Sequence, residues 1–211
     1  MSSEGGYEVT FWDFCAPLYD FAEKTNGKAY AQMVETVREL VPENTSVLEV
    51  AAGTGAVSIA IADKVESIRC TDTSNRMLSV ARKKANRRGV SNIRFENLDI
   101  FNIEKQDHSF DVVIAGQVLH LLDEPEKAAA QLRRVAKDMV ILPMCFTKNL
   151  RGRAKWSVRF YRLFGFAPNF EFDADSYAAF LPEIGFENCE MIQIPGKLPM
   201  AVAVWKGGDK K

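Results

Sequence analysis

The stretch Val47-Leu48-Glu49-Val50-Ala51-Ala52-Gly53-Thr54-Gly55-Ala56 decides the fold class of this chain. Val47, Leu48 and Val50 belong to an apolar run of strand length, two glycines break it, and a helical pattern over 56–65 follows at once. Glycine at 53 and 55 lets the backbone close against a ligand, and the helix start just beyond offers unpaired N–H groups to an anion. The next apolar run, 67–71, ends at Asp72, where a carboxylate can accept both hydroxyls of a ribose. A Gly-x-Gly turn is common; the carboxylate one strand later directs it toward a nucleoside.

The same alternation of short apolar runs and longer helical ones continues outward from this turn. Residues 7–41 predict two helices, an aromatic one carrying Phe11, Trp12, Phe14, Leu18, Tyr19 and Phe21, then one over 29–41 stopped by Pro42 and Asn44. Downstream lie a helix at 74–88 ended by Gly89, strands at 93–96 and 110–115, a helix at 125–137 and a strand at 139–144. Repeated strand-helix-strand units of this length predict an α/β fold, a mostly parallel sheet with helices on both faces. A short helix at 175–184 then precedes strands at 188–194 and 200–205, and the turn between them is too short for anything but antiparallel pairing. The 211 residues suit a single domain over 1–211, with amino-terminal helices at about 7–41 and a lid-like insertion at about 148–172.

Lysine plus arginine number 27 and aspartate plus glutamate 28, a formal net charge of −1. A protein that works by neutralising nucleic-acid phosphates would carry a basic excess, so no nucleic-acid partner is expected. Cys15, Cys70, Cys145 and Cys189 are scattered and form no CxxC pair, which predicts neither a disulfide framework nor a metal site. The longest apolar stretches fall well short of the roughly 18 residues that span a bilayer. Residues 1–6 are small and polar with no hydrophobic run behind them, unlike a signal peptide, and a cytoplasmic location is expected.

Four stretches recur in a familiar order: Glu49-x-Ala51-x-Gly53-x-Gly55; Asp72-Thr73-Ser74-x-x-Met77-Leu78; Asn97-Leu98-Asp99-Ile100; and Phe110-Asp111-Val112-Val113 running on to Leu119-His120-Leu121-Leu122. Together with the terminal hairpin, and over about 11–205, they resemble the class I S-adenosylmethionine-dependent methyltransferases, in the branch of small-molecule enzymes with a ubiquinone-biosynthesis-like domain. The resemblance implies a Rossmann-like sheet ending in an antiparallel hairpin, with S-adenosyl-L-methionine as cofactor. It places Glu49 near the methionine amino group and the backbone of Ala51, Gly53, Thr54 and Gly55 beside the methionyl and sugar portions. Asp72, with Thr73 beside it, would hold the ribose hydroxyls, Met77 would pack on the adenine, and Asp99 and Ile100 would bracket the adenine edge. The main chain at Ala115 would lie beside the methionine moiety. Tyr19, in Pro17-Leu18-Tyr19-Asp20, matches an aromatic that closes over the cofactor and is a candidate at the reaction centre. The chain departs from the family at Ala51, where the turn has its first glycine; a methyl there is acceptable at negative φ, which is therefore expected.

Each residue also has a plainer reading. Asp72 would cap the helix that follows it, Asp99 would be a loop carboxylate, and Met77, beside Leu78 and Val80, would be core. His120 follows the fourth strand at the carboxyl edge, where open parallel sheets place ligands, and is the candidate general base near neutral pH; its alternative is structural packing. His108 reads as a solvated loop residue. The segment 148–162 holds Lys148, Arg151, Arg153, Lys155, Arg159 and Arg162 and no acidic residue, while Trp156, Phe160 and Phe164 recur at helical spacing. This predicts a lid over the substrate cavity, with peripheral membrane contact through 148–164 and an ordinary packed helix as alternatives. Arg82, Lys83, Lys84, Arg87 and Arg88 read as a solvated helix face.

The function implied is methyl transfer to a small-molecule acceptor by in-line displacement, for which the protein must align the acceptor and exclude water. Ala115-Gly116-Gln117-Val118 lacks the Asn/Asp-Pro-Pro-Tyr/Phe signature of adenine-N6 methylases. Two other classes stay open. One is an NAD-type oxidoreductase, disfavoured because Ser58 stands at the third glycine of GxGxxG. The other is a non-catalytic binding protein that retains the fold. No segment specifies an oligomeric state.

Overall fold

The computed structural model describes residues 27–150 and 168–207. Tyr19, the aromatic helix expected near the amino end, and the centre of the 148–172 insertion, with Trp156, Phe160 and Phe164, lie outside the described residues.

Seven strands form one sheet: β1 (Ser46–Val50), β2 (Ser67–Asp72), β3 (Ile93–Asn97), β4 (Phe110–Ala115), β5 (Ala136–Cys145), β6 (Glu190–Ile194) and β7 (Met200–Lys206). Their order is β3-β2-β1-β4-β5-β7-β6. The first five run parallel, and β7 is antiparallel to both of its neighbours, as the short turn before it requires. The second strand of the hairpin takes the inner place and the first becomes the edge. Composition explains the order: Met200 to Val204 are all buried, whereas β6 leaves Glu190, Ile192 and Gln193 exposed. A continuous apolar strand belongs where both faces are covered, and a charged one can stand at an edge.

Among the described residues, five helices cover the sheet: α1 (Gly27–Leu40), α2 (Ala56–Ile61), α3 (Asn75–Arg87), α4 (Pro125–Val135) and α5 (Ala174–Glu183). Alternate residues of the central strands feed two cores. Val47, Val112, Ile114 and Ile141 meet Met33 and Val37 of α1 and Val57 and Ile61 of α2. Leu48, Val113, Val140 and Leu142 meet Leu132 of α4 and Tyr177 and Phe180 of α5. The period of two along each strand is what splits one apolar run between two faces.

Two helices end two or more residues short of the sequence expectation. The helix expected to reach 65 ends at Ile61, because α1 intercepts its last turn: Arg38 Nη1 donates to Ala60 O at 2.5 Å and pairs with Asp63, while Lys64 Nζ donates to Arg38 O at 2.8 Å. Those side chains satisfy groups that a further helical turn would have satisfied. The helix expected to reach 137 ends at Val135, since Ala136 already pairs with Phe110 in the sheet. Tertiary pairing overrides the helical preference of Ala136 and Lys137. Pro143, inside β5, is tolerated because the β4 pairing ends at Ile141, two residues earlier.

Candidate functional site

The turn at 51–55 carries the chain from β1 into α2 with Gly53 at φ 54° and Gly55 at φ 71°. Ala52 N–H donates to Thr71 O and Gly55 N–H to Ala52 O, both at 2.9 Å, so the turn is stitched to β2 and to itself. A Cβ built on Gly55 would lie 2.9 Å from Ala81 Cβ, so this glycine also lets α3 close onto the turn.

Two buried carboxylates flank the turn, Asp72 bonded to the turn itself and Glu49 to the helix that follows it. Asp72 Oδ2 accepts from Gly53 N–H and Oδ1 from Ser74 N–H, each at 2.8 Å. The cap of α3 is Ser74, whose Oγ accepts from Met77 N–H at 3.1 Å; the capping role considered for Asp72 belongs to its neighbour. These bonds take two of the roughly four acceptor positions of a carboxylate. Glu49 is 5% exposed, and its Oε2 accepts from Ser58 N–H at 2.9 Å and from Ser58 Oγ. Ser58 thus stands at the place of a third glycine and supplies the donors a buried carboxylate needs. Thr54 Oγ1 accepts from Lys84 Nζ at 3.0 Å, which corrects one reading: Lys84 is half-buried against the turn, while Lys83, Arg87 and Arg88 are exposed.

The remaining predicted residues gather on the same carboxyl edge. Thr73 is exposed, and its carbonyl accepts from Asn97 Nδ2 at 2.7 Å. Asp99 is exposed beyond β3 with Oδ1 accepting from Phe101 N–H at 2.9 Å; Ile100 is buried. Ala115 ends β4 opposite Val50. Met77 is 1% exposed and packs as a core residue of α3.

A cleft, partly open to solvent, lies against this edge. Glu49 lines it from β1, Ala51 and Gly53 from the turn, Tyr30 from α1, Gln117 from beyond β4, and Pro143 from β5. Asp72, Met77, Asp99 and Ile100 are outside its lining.

Among the described residues, positive φ outside glycine falls on Asn44, His108, Asn149 and Asn188, types that tolerate it, and on Ala51 and Gln117, which do not. Both of the latter line the cleft. The negative φ expected at Ala51 is therefore overturned: φ is 52°, and the turn keeps the geometry of a glycine while carrying a methyl. The left-handed conformation costs an L-residue about 1–2 kcal/mol, and such strain persists where the surroundings over-determine it. Ala51→Gly is expected to raise the unfolding free energy by about 0.5–1 kcal/mol, the relieved strain exceeding the freedom glycine adds to the unfolded chain. Urea denaturation measures this, and a less stable glycine variant would contradict it.

His120 departs from the poised base expected of it. It lies in a 3-10 turn, Leu119–Leu121, is 7% exposed, and burial lowers its imidazolium to about 4, so the ring is neutral and weakly basic at pH 7. Its backbone serves as an anchor. His120 O accepts from Asn169 N–H at 2.9 Å and Phe170 N–H at 3.1 Å, fixing the chain where it returns from the insertion. His108 sits at φ 53° with Nδ1 2.9 Å from Ala136 O, half-engaged in the turn before β4. Sequence reasoning singles out neither Tyr30 nor Gln117. The only signal for Gln117 is its place two residues past β4, at the edge where ligands bind. Among the described residues, no group of three or more His, Cys, Asp or Glu is arranged to hold a metal ion, and no helix is long and apolar enough to cross a membrane.

A family model described as a methyltransferase domain matches residues 42–157, more than half of the chain. A demethylmenaquinone methyltransferase of Clavibacter sepedonicus is 30% identical over 143 residues, which are 65% of this chain and 56% of that protein. The uncharacterized methyltransferase YcgJ of Bacillus subtilis is 30% identical over 91 residues, 43% of this chain and 36% of its own length. The chain thus spans between about a third and somewhat over half of these relatives. Among solved structures, the magnesium protoporphyrin IX methyltransferase of Synechocystis, with SAH bound, has a TM-score of 0.66 at 19% identity, covering 85% of this chain and 84% of that one. At that identity the likeness shows a shared fold.

Proposed function

The chain belongs to the methyltransferase-domain family, and from that premise we propose that it transfers a methyl group from S-adenosylmethionine to a small-molecule acceptor. The observation that carries this reading is the 51–55 turn, flanked by the buried carboxylates of Glu49 and Asp72 and opening on the cleft. The donor set suits the group: an anion at Glu49 for an amino-acid ammonium, a carboxylate at Asp72 for a ribose diol, and an exposed acceptor at Asp99 for an exocyclic amine.

When bound, the cofactor supplies a methyl group already activated by its sulfonium. The protein's share is then placement and shielding. The stitched turn fixes the backbone at Gly53, and Glu49, held by Ser58, is oriented before any ligand arrives. Pre-set groups of this kind need no reorganisation during the reaction. The weak basicity of His120 favours acceptors that ionise readily or attack without help, and gives its ring a packing role. The described ends of the insertion are joined, since Lys148 N–H donates to Phe172 O at 2.9 Å; the lid over the acceptor side within a single domain rests on the sequence pattern of 148–172 alone. The free thiols of Cys70, Cys145 and Cys189 accord with a cytoplasmic setting. The balanced charge favours a small molecule over a nucleic acid.

The dinucleotide alternative loses ground because β7 runs antiparallel between β5 and β6, whereas the NAD fold keeps its strands parallel. Calorimetry with S-adenosylmethionine and with NAD tests the choice: saturable binding of the first and none of the second is expected, and the reverse would overturn the proposal. Transfer of labelled methyl to a metabolite extract then identifies the acceptor.

A further inference from the structure

We propose that the edge strand β6 is a dimer interface, pairing antiparallel with β6 of a second copy of this chain about a two-fold axis at Ile192. The inference goes beyond the methyltransferase reading and stands on the sheet alone.

The backbone sets the phase. In an antiparallel ladder successive residues turn their N–H and C=O groups alternately to one neighbour and to the other. Gly207 N–H donates to Asp138 O and Phe146 N–H to Pro199 O, both at 2.8 Å, so these are bonded pairs of the β5–β7 register. Ala201 and Ala203, in phase with them, turn to β5, which leaves Met200, Val202 and Val204 turned to β6. Ile194, Ile192 and Glu190 answer them. Met191 and Gln193 therefore direct their backbone groups out of the sheet, where no described strand lies. Edges of this kind are commonly protected by charge, proline or a bulge. The opposite edge, β3, carries Arg94 and Glu96, with Glu96 bound by Arg69 and Lys105. β6 has a single charge, Glu190 at its first residue, and Pro195 falls just past its last. At its centre Ile192 is 41% exposed, although it is a large apolar side chain.

The strand is complementary to itself. Turned about an axis at Ile192, Met191 meets Gln193 of the second copy and Gln193 meets Met191, so each outward N–H faces an outward C=O. Pro195, which has no N–H, falls opposite Cys189 at the end of the ladder. Ile192 meets its own copy in a non-bonded pair, the arrangement that brings side chains closest, and apolar surface is withdrawn from water. The charges select this register. Glu187 and Lys197 lie equally far from Ile192 along the chain, both exposed and neither with an ion-pair partner among the described residues. The axis sets Glu187 of each copy beside Lys197 of the other. Sliding one strand by two residues keeps the backbone in phase but parts these charges. Because the strands of the second copy run the opposite way, the two clefts open at opposite ends of the joined sheet and neither covers the other.

Sedimentation of the full chain is expected to show a dimer in the micromolar range. Gln193→Pro puts a ring where the outward N–H was and takes no hydrogen bond from β7, a change that edge strands tolerate. It should weaken the dimer by at least about thirtyfold, through lost backbone bonds on both sides of the axis. Lys197→Glu and Glu187→Lys should each weaken it by about tenfold, and the double variant, which exchanges the charges, should return to within about threefold of the parent. Ile192→Cys reads the register. Across a non-bonded pair the Cα atoms lie about 4.5 Å apart, within disulfide range, so mild oxidation should link two chains, whereas Glu190→Cys, away from the axis, should not link. A dimer indifferent to Gln193→Pro, no recovery in the double charge variant, or equal linking through both cysteines would overturn the assignment. A parent that stays monomeric through the micromolar range would also overturn it, and would leave the edge to another occupant. Thermal melting checks that Gln193→Pro is folded; if it is not, the charge variants, which sit in exposed turns, decide the matter.

Discussion

Asp72→Ala is expected to lower the unfolding free energy by about 3–5 kcal/mol and to abolish S-adenosylmethionine binding at concentrations that saturate the parent protein. The stability loss comes from two backbone groups. Gly53 N–H and Ser74 N–H both donate to this carboxylate at 2.8 Å, and Asp72 itself is only 9% exposed. Removing one charged partner from a buried donor costs about 1.5–3 kcal/mol, and here two donors are stranded at once. The binding loss has two sources. Direct contacts to a ribose would vanish, and the turn itself would lose the clamp that aligns Gly53. Asp72→Asn separates them: its oxygen still accepts from one of the two N–H groups, so stability falls by roughly half as much. Urea denaturation and calorimetry on both variants check this, and an alanine variant as stable as the parent would contradict the clamp. A direct ribose contact alone would have lowered affinity with no effect on stability.

The same carboxylate shows where sequence reasoning reached and where it stopped. The turn, the acid that ends β2 and the terminal hairpin were legible because each depends on local chemistry: glycine where φ is positive, a carboxylate at a strand end, a turn too short to cross over. The inner position of β7 was not legible from the turn, though the unbroken burial of Met200 to Val204 accounts for it. Helix ends were misplaced wherever a distant side chain intervened, as when Arg38 takes the carbonyl of Ala60. Ser58 appeared only as a missing glycine, yet it holds Glu49. Its role needs the fold, because a hydroxyl nine residues from a carboxylate has no local reason to meet it. His120 was open between a base at the sheet edge and structural packing, and its burial in the assembled fold, which lowers the ring to about 4, weighs toward packing.

Gly55→Val is expected to be the most disruptive single change at the turn, with a stability loss of about 4 kcal/mol or more and no measurable cofactor binding. Two independent penalties coincide there. Gly55 sits at φ 71°, which costs an L-residue about 1–2 kcal/mol and a β-branched one more. A Cβ would also meet Ala81 Cβ at 2.9 Å, and overpacking of this kind costs about 1–3 kcal/mol, because α3 must move or the turn must open. Gly89 supplies the control. Its φ is 68°, almost the same, yet a Cβ there would meet nothing within 4 Å. Gly89→Ala therefore measures the backbone penalty alone, about 1–2 kcal/mol, and Gly55→Ala exceeds it by the packing penalty. Ala81→Gly in the Gly55→Ala background should recover part of that excess, since the two positions share one contact, whereas paired with Gly89→Ala it should add independently. If Gly55→Ala and Gly89→Ala destabilise equally, α3 does not close on the turn, and the second glycine serves conformation only.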